Sequence, residues 1–418
     1  MSVKAKWGLD YEVALDVGFV FGEFILGSAT NGIIGVNIIE GETSFVDITQ
    51  YVQNVNINRG RSTQLEVFSA GTLTLQADDR AADRYFDPFN EASPWYQGAF
   101  GIAPRRKIKV TAGTADIFTG FIYDLDINYN EPNLSFAQIA AVDALAQLSQ
   151  TTLNGFTPSQ ELASDRINTI LDRGEVGFST AVAPREIGTA LSTLGTAPYD
   201  TGINTLQALQ EVQIAENGRF FVTRTGAIRF DPRITATFAT AIATLGGTAT
   251  GAIPITGLEN IYGAETIINR ATVQIAGSTA VANAEGTASQ TNYGIRAIAL
   301  SNVPLATQAA ATALAQDLID IYQDPIPRFT GVSVNINALS DSDQQLISQV
   351  EIGDVVEVVK NFAAGSPATV SQNSVVEAIR HSITSDRHTI NLTLAPAQIL
   401  LPFFFDVDSF DSGKSFRS

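Results

Sequence analysis

Strict two-residue alternation is what most constrains this chain. In the long run from Phe118 to Ile127, Asp124 and Asp126 alternate with Leu125 and Ile127. Successive side chains on a strand point to opposite faces, so such a run gives one dry face and one wet one. Ile108 and Val110 alternate in the same way with Lys107 and Lys109, and a further strand alternates at Leu73 and Leu75. Upstream, Val36, Ile38 and the segment Phe45 to Ile48 read as strands, with Gly41 at a turn. Leu134 to Val142 closes the sheet, and Asp143 to Leu148 suits a short helical turn. Residues 1–150 therefore read as a small antiparallel barrel or sandwich.

Residues 151–235 change character. In Pro158 to Leu171, the residues Leu162, Ile167, Ile170 and Leu171 share one helical face, and Gly174 stops the run. Thr205 to Ala215 reads as a second helix, ended by Asn217-Gly218. Arg219 to Arg224 and Ala227 to Phe230 then read as a hairpin turning at Thr225-Gly226. This is an α+β insertion. Residues 236–257, rich in Ala, Thr and Gly, offer few anchors and read as a loop or linker. Residues 258–400 return to strands around one helix, Thr307 to Tyr322, which Pro325 and Pro327 terminate. The expected strands are Thr330 to Ile336, Val355 to Val359, Val375 to Ile383 and Thr389 to Leu394, and residues 401–418 form a C-terminal arm.

Composition narrows what such a chain does. At 418 residues it exceeds one ordinary domain, and 45% hydrophobic against 16% charged residues leaves ample apolar material for cores. A formal charge of −18 disfavours wrapping nucleic acid, although an acidic wall would let DNA pass without sticking. Cysteine is absent, so disulfides and thiolate zinc sites are excluded. The apolar stretch Val17 to Val36 contains Glu23 and several glycines and reads as strands and turns, so no membrane span is expected.

Residues 55–98 carry the most specific pattern. Val55 and Ile57 lead into the turn Asn58-Arg59-Gly60-Arg61, followed by an Ala70-Gly71-Thr72 strand and an Asp/Arg stretch. Phe86-Asp87-Pro88-Phe89-Asn90 and Ser93-Pro94-Trp95-Tyr96 come next. Further on stand Asn269-Arg270, Tyr293-Gly294-Ile295-Arg296, Pro327-Arg328-Phe329 and Glu351-Ile352-Gly353-Asp354. In number and order these segments, spread over roughly residues 45 to 396, resemble the minor tail proteins of tailed phages, of the tail-tip hub or baseplate hub type. The resemblance implies a mainly β fold with an α+β insertion: two tail-tube-like β-barrel or sandwich modules plus a smaller helix-hairpin domain.

The first and last β regions also echo each other. Phe121 to Asn128 turns into Leu134 to Val142, and Val376 to Ile383 turns into Thr389 to Leu394. Two-stranded units recur in many folds, so the echo reads either as coincidence or as duplication. A duplication would let three subunits present six barrel positions and match a six-fold tube to a three-fold spike or fibre. The hub proteins that this chain resembles are understood to work in that way.

No constellation of residues points to catalysis. Asp78, Asp79 and Asp83 lie among Arg80 and Arg84, which suits a salt-bridged turn rather than a glycosidase pair. Asp124 and Asp126 suit a solvated strand face or a channel wall. His381 and His388 flank a hairpin tip and suit surface positions; with Asp386 they fall short of a metal set. The acidic tail from Asp406 to Gly413 lacks calcium-loop spacing. No cofactor is expected.

Two segments suit contacts with other chains. Arg105, Arg106, Lys107 and Lys109 form the dense basic patch, which suits a neighbouring subunit's acidic face or an edge strand guarded against pairing. Phe403, Phe404, Phe405 and Phe410 suit an arm that docks on a partner; Trp95 and Tyr96 suit either docking or a core.

The expectation is thus a non-enzymatic virion protein of the phage tail tip, made in the host cytoplasm. Its partners would be copies of itself in a homotrimer, the adjacent tube or distal tail protein, and a central spike or fibre. The competing readings are a hexameric distal tail ring, a host-carbohydrate-binding adhesin and a cell-wall hydrolase. The scarcity of Trp counts against the adhesin and the lack of Cys against a thiol hydrolase.

Overall fold

The computed structural model describes residues 11–16, 45–64, 66–79, 84–93, 96, 105–130, 134–178, 183–233, 240–248 and 250–397. The alternating segments form strands as expected. In the first β module these are β1 (Tyr11–Asp16), β2 (Phe45–Asp47), β3 (Val52–Gly60), β4 (Ser69–Asp78), β5 (Lys107–Ala112), β6 (Ala115–Asn130) and β7 (Leu134–Val142). They pair antiparallel in the order β3-β4-β7-β6-β5-β1-β2. The two end strands of that order, β2 and β3, are separated only by residues 48–51. The sheet therefore rolls until its ends meet at this corner, where Ile48 N donates to Val13 O and Asp78 N donates to Tyr51 O. The inner face buries Ile57, Leu73, Leu75, Ile108, Val110, Phe118 and Ile139. Each such side chain is worth about 1.5–3 kcal/mol when removed from water.

The insertion follows directly. Asp143 caps α1 (Ala144–Leu148), its side chain accepting from Leu145 N. Next come β8 (Glu161–Leu162), α2 (Ala163–Leu171), β9 (Arg185–Ile187), β10 (Thr193–Leu194), α3 (Thr205–Glu216), β11 (Arg219–Val222) and β12 (Ile228–Asp231). α2 starts later than its sequence pattern suggests, because Glu161 and Leu162 pair with β10 instead. α3 sits where expected: Asn204 accepts from Gln207 N at its start, and Asn217 takes the left-handed conformation at its end. The hairpin β11–β12 gains β9 as a parallel third strand.

The second β module comprises β13 (Thr244–Gly246), β14 (Gly257–Ile261), β18 (Arg328–Asn335), β19 (Val355–Asn361), β20 (Thr369–Thr384) and β21 (His388–Pro396). The small sheet of β15 (Arg270–Ile275), β16 (Val281–Glu285) and β17 (Ala297–Val303) is inserted between β14 and β18, with α4 (Thr287–Tyr293) and α5 (Gln308–Tyr322). α6 (Asp341–Ser348) precedes β19. The linker expected at 236–257 is not a bare connection in its described part. β13 pairs parallel with β19, and Ala243, Leu245 and Ile253 are buried. Its glycines serve close approach: a Cβ on Gly246 would stand 2.5 Å from Val359 O.

The sequence echo is a duplication of topology. In the first module, strands met in the chain order β3, β4, β5, β6, β7 lie side by side as β3-β4-β7-β6-β5. In the second, β14, β18, β19, β20, β21 lie as β14-β18-β21-β20-β19. The long strands β6 and β20 both have 16 residues. Each carries its bulge against the following strand eight residues from its start, at Tyr123 and at Glu377. The modules are not separate sheets, however: β20 also pairs with β3, which makes one 13-stranded sheet of both.

Candidate functional site at the seam between the modules

The seam is built by β20 changing partners at its bulge. Residues 369–375 pair with β19 of the second module, and residues 378–384 pair with β3 of the first. Glu377 occupies the break between these partners. Its carboxylate is buried and takes two arginines: Arg61 Nε at 2.7 Å, from the turn after β3, and Arg219 Nη2 at 2.9 Å, from β11. Burial pushes the Glu377 carboxyl up, but Arg219 and Arg61 beside it outweigh this and hold it below the usual range. Three parts of the chain therefore meet at one carboxylate.

A second buried pair stands beside it. Arg59 Nη1 lies 2.8 Å from Glu351 Oε1, with side-chain exposures of only 2% and 9%. Glu351 Oε2 also accepts from Arg224 N, and Asp354 accepts from Glu351 N. The two quoted motifs, Asn58-Arg59-Gly60-Arg61 and Glu351-Ile352-Gly353-Asp354, are thus brought together although they lie far apart in sequence. Removing one partner of a buried pair costs about 3–5 kcal/mol, because the other charge is left uncompensated.

Glycine is required where the strands touch. Gly60 has φ +109°, and a Cβ there would lie 2.2 Å from Glu377 O and 2.5 Å from Ala378 Cα. Asp143 adds a buried carboxyl, accepting from Gly71 N at 2.6 Å and Leu145 N at 2.9 Å. Burial pushes it up to about 7, against the pull of those two amides and of Arg59. Phe68 packs on Phe221 at 5.5 Å between ring centroids and lies under the Arg61 guanidinium, which ties the insertion to the same seam.

The residues singled out in the sequence fall as follows. Arg105 is exposed with φ +74°, while Arg106, Lys107 and Lys109 are half-buried and Lys109 pairs with Asp116 at 2.9 Å. β5 lies between β1 and β6, so the edge-guard reading of this patch is wrong. Asp124 and Asp126 are exposed, as a wet face requires. Asp79 is buried and accepts from Phe86 N, and Arg84 pairs with Asp87, a residue outside the set expected to form the salt-bridged turn. The surface placement of the histidines is also corrected: His381 and His388 are buried and hydrogen-bonded to each other. Tyr96 is partly exposed. Arg80, Asp83, Trp95, the stretch Val17 to Val36, Phe403, Phe404, Phe405, Phe410 and the acidic tail lie outside the described residues.

The sequence reading missed Glu377. Its signal was a lone carboxylate in the apolar run Val375-Val376-Glu377-Ala378-Ile379, which needs a buried cation to be tolerated. Among the described residues no group of three or more metal-binding side chains occurs, and no helix is long and apolar enough to cross a membrane.

No protein-family model matches the chain, and no curated protein matches it in sequence. Solved structures do match. The 43 kDa tail protein of prophage MuSo2 from Shewanella oneidensis aligns over 94% of this chain and 98% of its own, with 11% identity and a TM-score of 0.56. The tail protein from Neisseria meningitidis MC58 aligns over 93% and 97%, with 11% identity and a TM-score of 0.59. The chain thus has the β-rich fold of these phage tail proteins over nearly its whole length.

Proposed function

We propose that this chain is a structural, non-catalytic protein of the phage tail tip, and that copies of it join through their β modules into a three-membered ring with six module positions. The tail-protein fold supports the tail assignment. The observation that carries the ring is the in-chain seam itself. There the half of β20 beyond its bulge adds to the outer edge of β3. By the duplication, the matching half of β6 is residues 124–130, and the matching edge is that of β14.

Both elements suit addition to another copy. Among the described residues, 124–130 pair only with β7, and β14 pairs only with β18. Asp124, Asp126 and Asn128 are exposed on one, and Glu259, Asn260, Ile261 and Tyr262 on the other. Repeating the in-chain geometry between chains is a head-to-tail contact, which closes when the rotation per module divides the circle. Three chains of two modules each then supply the match between a six-fold tube and a three-fold spike or fibre.

The basic patch takes its place in this scheme. Arg105 N donates to Ile122 O and Ile122 N to Arg106 O, just as Gly353 N donates to Val376 O and Val376 N to Asp354 O. Arg105 and Arg106 thus occupy the positions of Gly353 and Asp354, at the bulge end of the contact with the next copy.

The register gives the test. Arg380 lies opposite Asn58 in the seam, so Asp126 is expected opposite Asn260 of the next copy. The chain has no cysteine of its own, so an Asp126→Cys, Asn260→Cys variant reports on this contact alone. Mild oxidation of the assembled protein is expected to give covalent trimers, and an Asp126→Cys, Ser301→Cys control none. Absence of crosslinks in an assembled oligomer, or a protein that stays monomeric in the intact tail, would refute the ring.

A further inference from the structure

A chain of buried hydrogen bonds lies at the far end of the seam. His381 Nδ1 on β20 and His388 Nε2 on β21 are 3.0 Å apart, and Tyr11 Oη on β1 is 2.7 Å from His388 Nδ1. The backbone N–H of His388 donates to Asn337 Oδ1. All three ring-bearing residues are buried. Tyr11 belongs to the first module and the histidines to the second. The Glu377 cluster holds the near end of the crossing segment, and this chain holds its tip.

Neutral rings satisfy every bond in the chain. The Tyr11 hydroxyl donates to His388 Nδ1, and His388 Nε2–H donates to His381 Nδ1. A proton added to His381 Nδ1 sets two donors against each other. A proton added to His388 Nδ1 turns the Tyr11 hydroxyl around and leaves a buried cation. Among the described residues the neighbours offer no compensation. β1 supplies Tyr11, β3 supplies the cation Arg59, and the turn before α6 supplies the uncharged Asn337. Asp386 at the hairpin tip accepts from the Thr384 hydroxyl, and among the described residues no carboxylate bonds either imidazole. Burial accordingly lowers both imidazoles, His388 to about 3 and His381 well below its ordinary value.

The first module has no counterpart to this device. Counting from the bulges, the positions that match His381 and His388 are Ile127 and Ser135, neither of which titrates.

We infer that the Tyr11–His388–His381 chain is an acid-released latch, whose protonation frees the tip of the β20–β21 hairpin from β1 and loosens the two modules of one chain. The contact between copies, which rests on the ring reading above, lacks imidazoles and does not respond. The latch lies within one chain, so its test stands whether or not a ring forms.

Hydrogen exchange on the full-length protein reads the latch directly. Labelling at about pH 7.5 and about pH 5, with times scaled to equal intrinsic exchange, is expected to show about tenfold or greater loss of protection at acid pH over 11–16 and 378–390. Peptides from α3 and β11 are expected to lose distinctly less, because global opening is offset by Asp143 and release of the latch is not. Unchanged protection, or a loss spread evenly over the chain, would overturn the inference. A His381→Leu, His388→Phe variant is expected to lose the acid response; retention of the response would also overturn it. Should that variant fold poorly, the wild type answers by NMR, because its two histidines give two imidazole signals. Neither is expected to titrate near 6.5 while the protein is native, and an ordinary titration of either would end the proposal.

Discussion

The two β modules share one strand order but treat their long strands differently. β6 and β20 have equal length, equal bulge position and an equivalent hairpin partner. The residue at the β20 bulge is a buried carboxylate gripped by Arg61 and Arg219; the residue at the β6 bulge is Tyr123, 61% exposed. The same backbone irregularity therefore does two jobs. Where the accepting edge belongs to the same chain, it is locked by a buried charge cluster. Where no accepting edge exists within the described chain, its side chain is left at the surface. A fixed partner tolerates buried ions, because both signs are always present when the chain folds. An exposed tyrosine carries no such burden.

Gly60→Val should break this comparison most severely. The position combines φ +109° with backbone atoms of Glu377 and Ala378 inside contact distance of any Cβ. Neither strain can relax without parting β3 from β20. We expect a loss above about 4 kcal/mol, enough to abolish soluble folded protein. The check is soluble yield together with urea unfolding. A variant within about 1 kcal/mol of wild type would mean that the strands do not meet as described.

Matched substitutions at the two bulges sharpen the contrast. Glu377→Ala leaves Arg61 and Arg219 buried without their carboxylate and is expected to cost about 3–5 kcal/mol. Tyr123→Ala removes a largely exposed ring and is expected to change single-chain stability by less than about 0.5 kcal/mol. Denaturant midpoints of the two variants, compared at a protein concentration where the wild type is a single chain, give the difference. Similar losses at both sites would show that β6 is locked within its own chain too.

Much of this architecture was legible in sequence, for definite reasons. Alternation within Phe118–Ile127 announced the long strand β6, because a sheet with one wet face forces that period, and Val375–Ile383 was read as a strand too. Asn217-Gly218 marked the end of α3. The quoted motifs were also correctly singled out, but their meaning was not. Nothing local says that Arg59 reaches Glu351 or that Arg61 reaches Glu377, since pairing across some 300 residues is set by the sheet order. The linker misread has the same origin. A segment as poor in large side chains as 240–257 offers no period, and its strand β13 is held by β19 and by glycines that permit close approach. The histidines were assigned to the surface from their place beside a hairpin tip. The two histidines are buried because the hairpin crosses into the other module, a consequence of the partner change at Glu377.

The most gradual expected effect is a pH dependence that weighs the latch against Asp143. A base whose folded pKa lies below its unfolded one keeps its full contribution above about 6.5 and loses it as pH falls toward the folded value. That value is about 3 for His388, and His381 shifts in the same direction. Asp143 acts oppositely. With its carboxyl pushed up to about 7 by burial, the native state holds a proton there that the unfolded chain has released, so its contribution grows as pH falls from 7. Between about pH 4.5 and 6.5 the unfolded chain comes to hold two imidazole protons where the native state holds one carboxyl proton. One proton of difference lowers stability by about 1.4 kcal/mol per pH unit. Below that window Glu377, held under its ordinary range by two arginines, adds to the loss. Asp143→Asn removes the opposing group and should steepen the slope to about 2.8 kcal/mol per unit, whatever it costs at neutral pH. Urea midpoints measured across this window give both slopes. A flat profile in the wild type would mean that the imidazoles titrate normally in the folded chain, and that the far end of the seam is open to water where the near end is sealed.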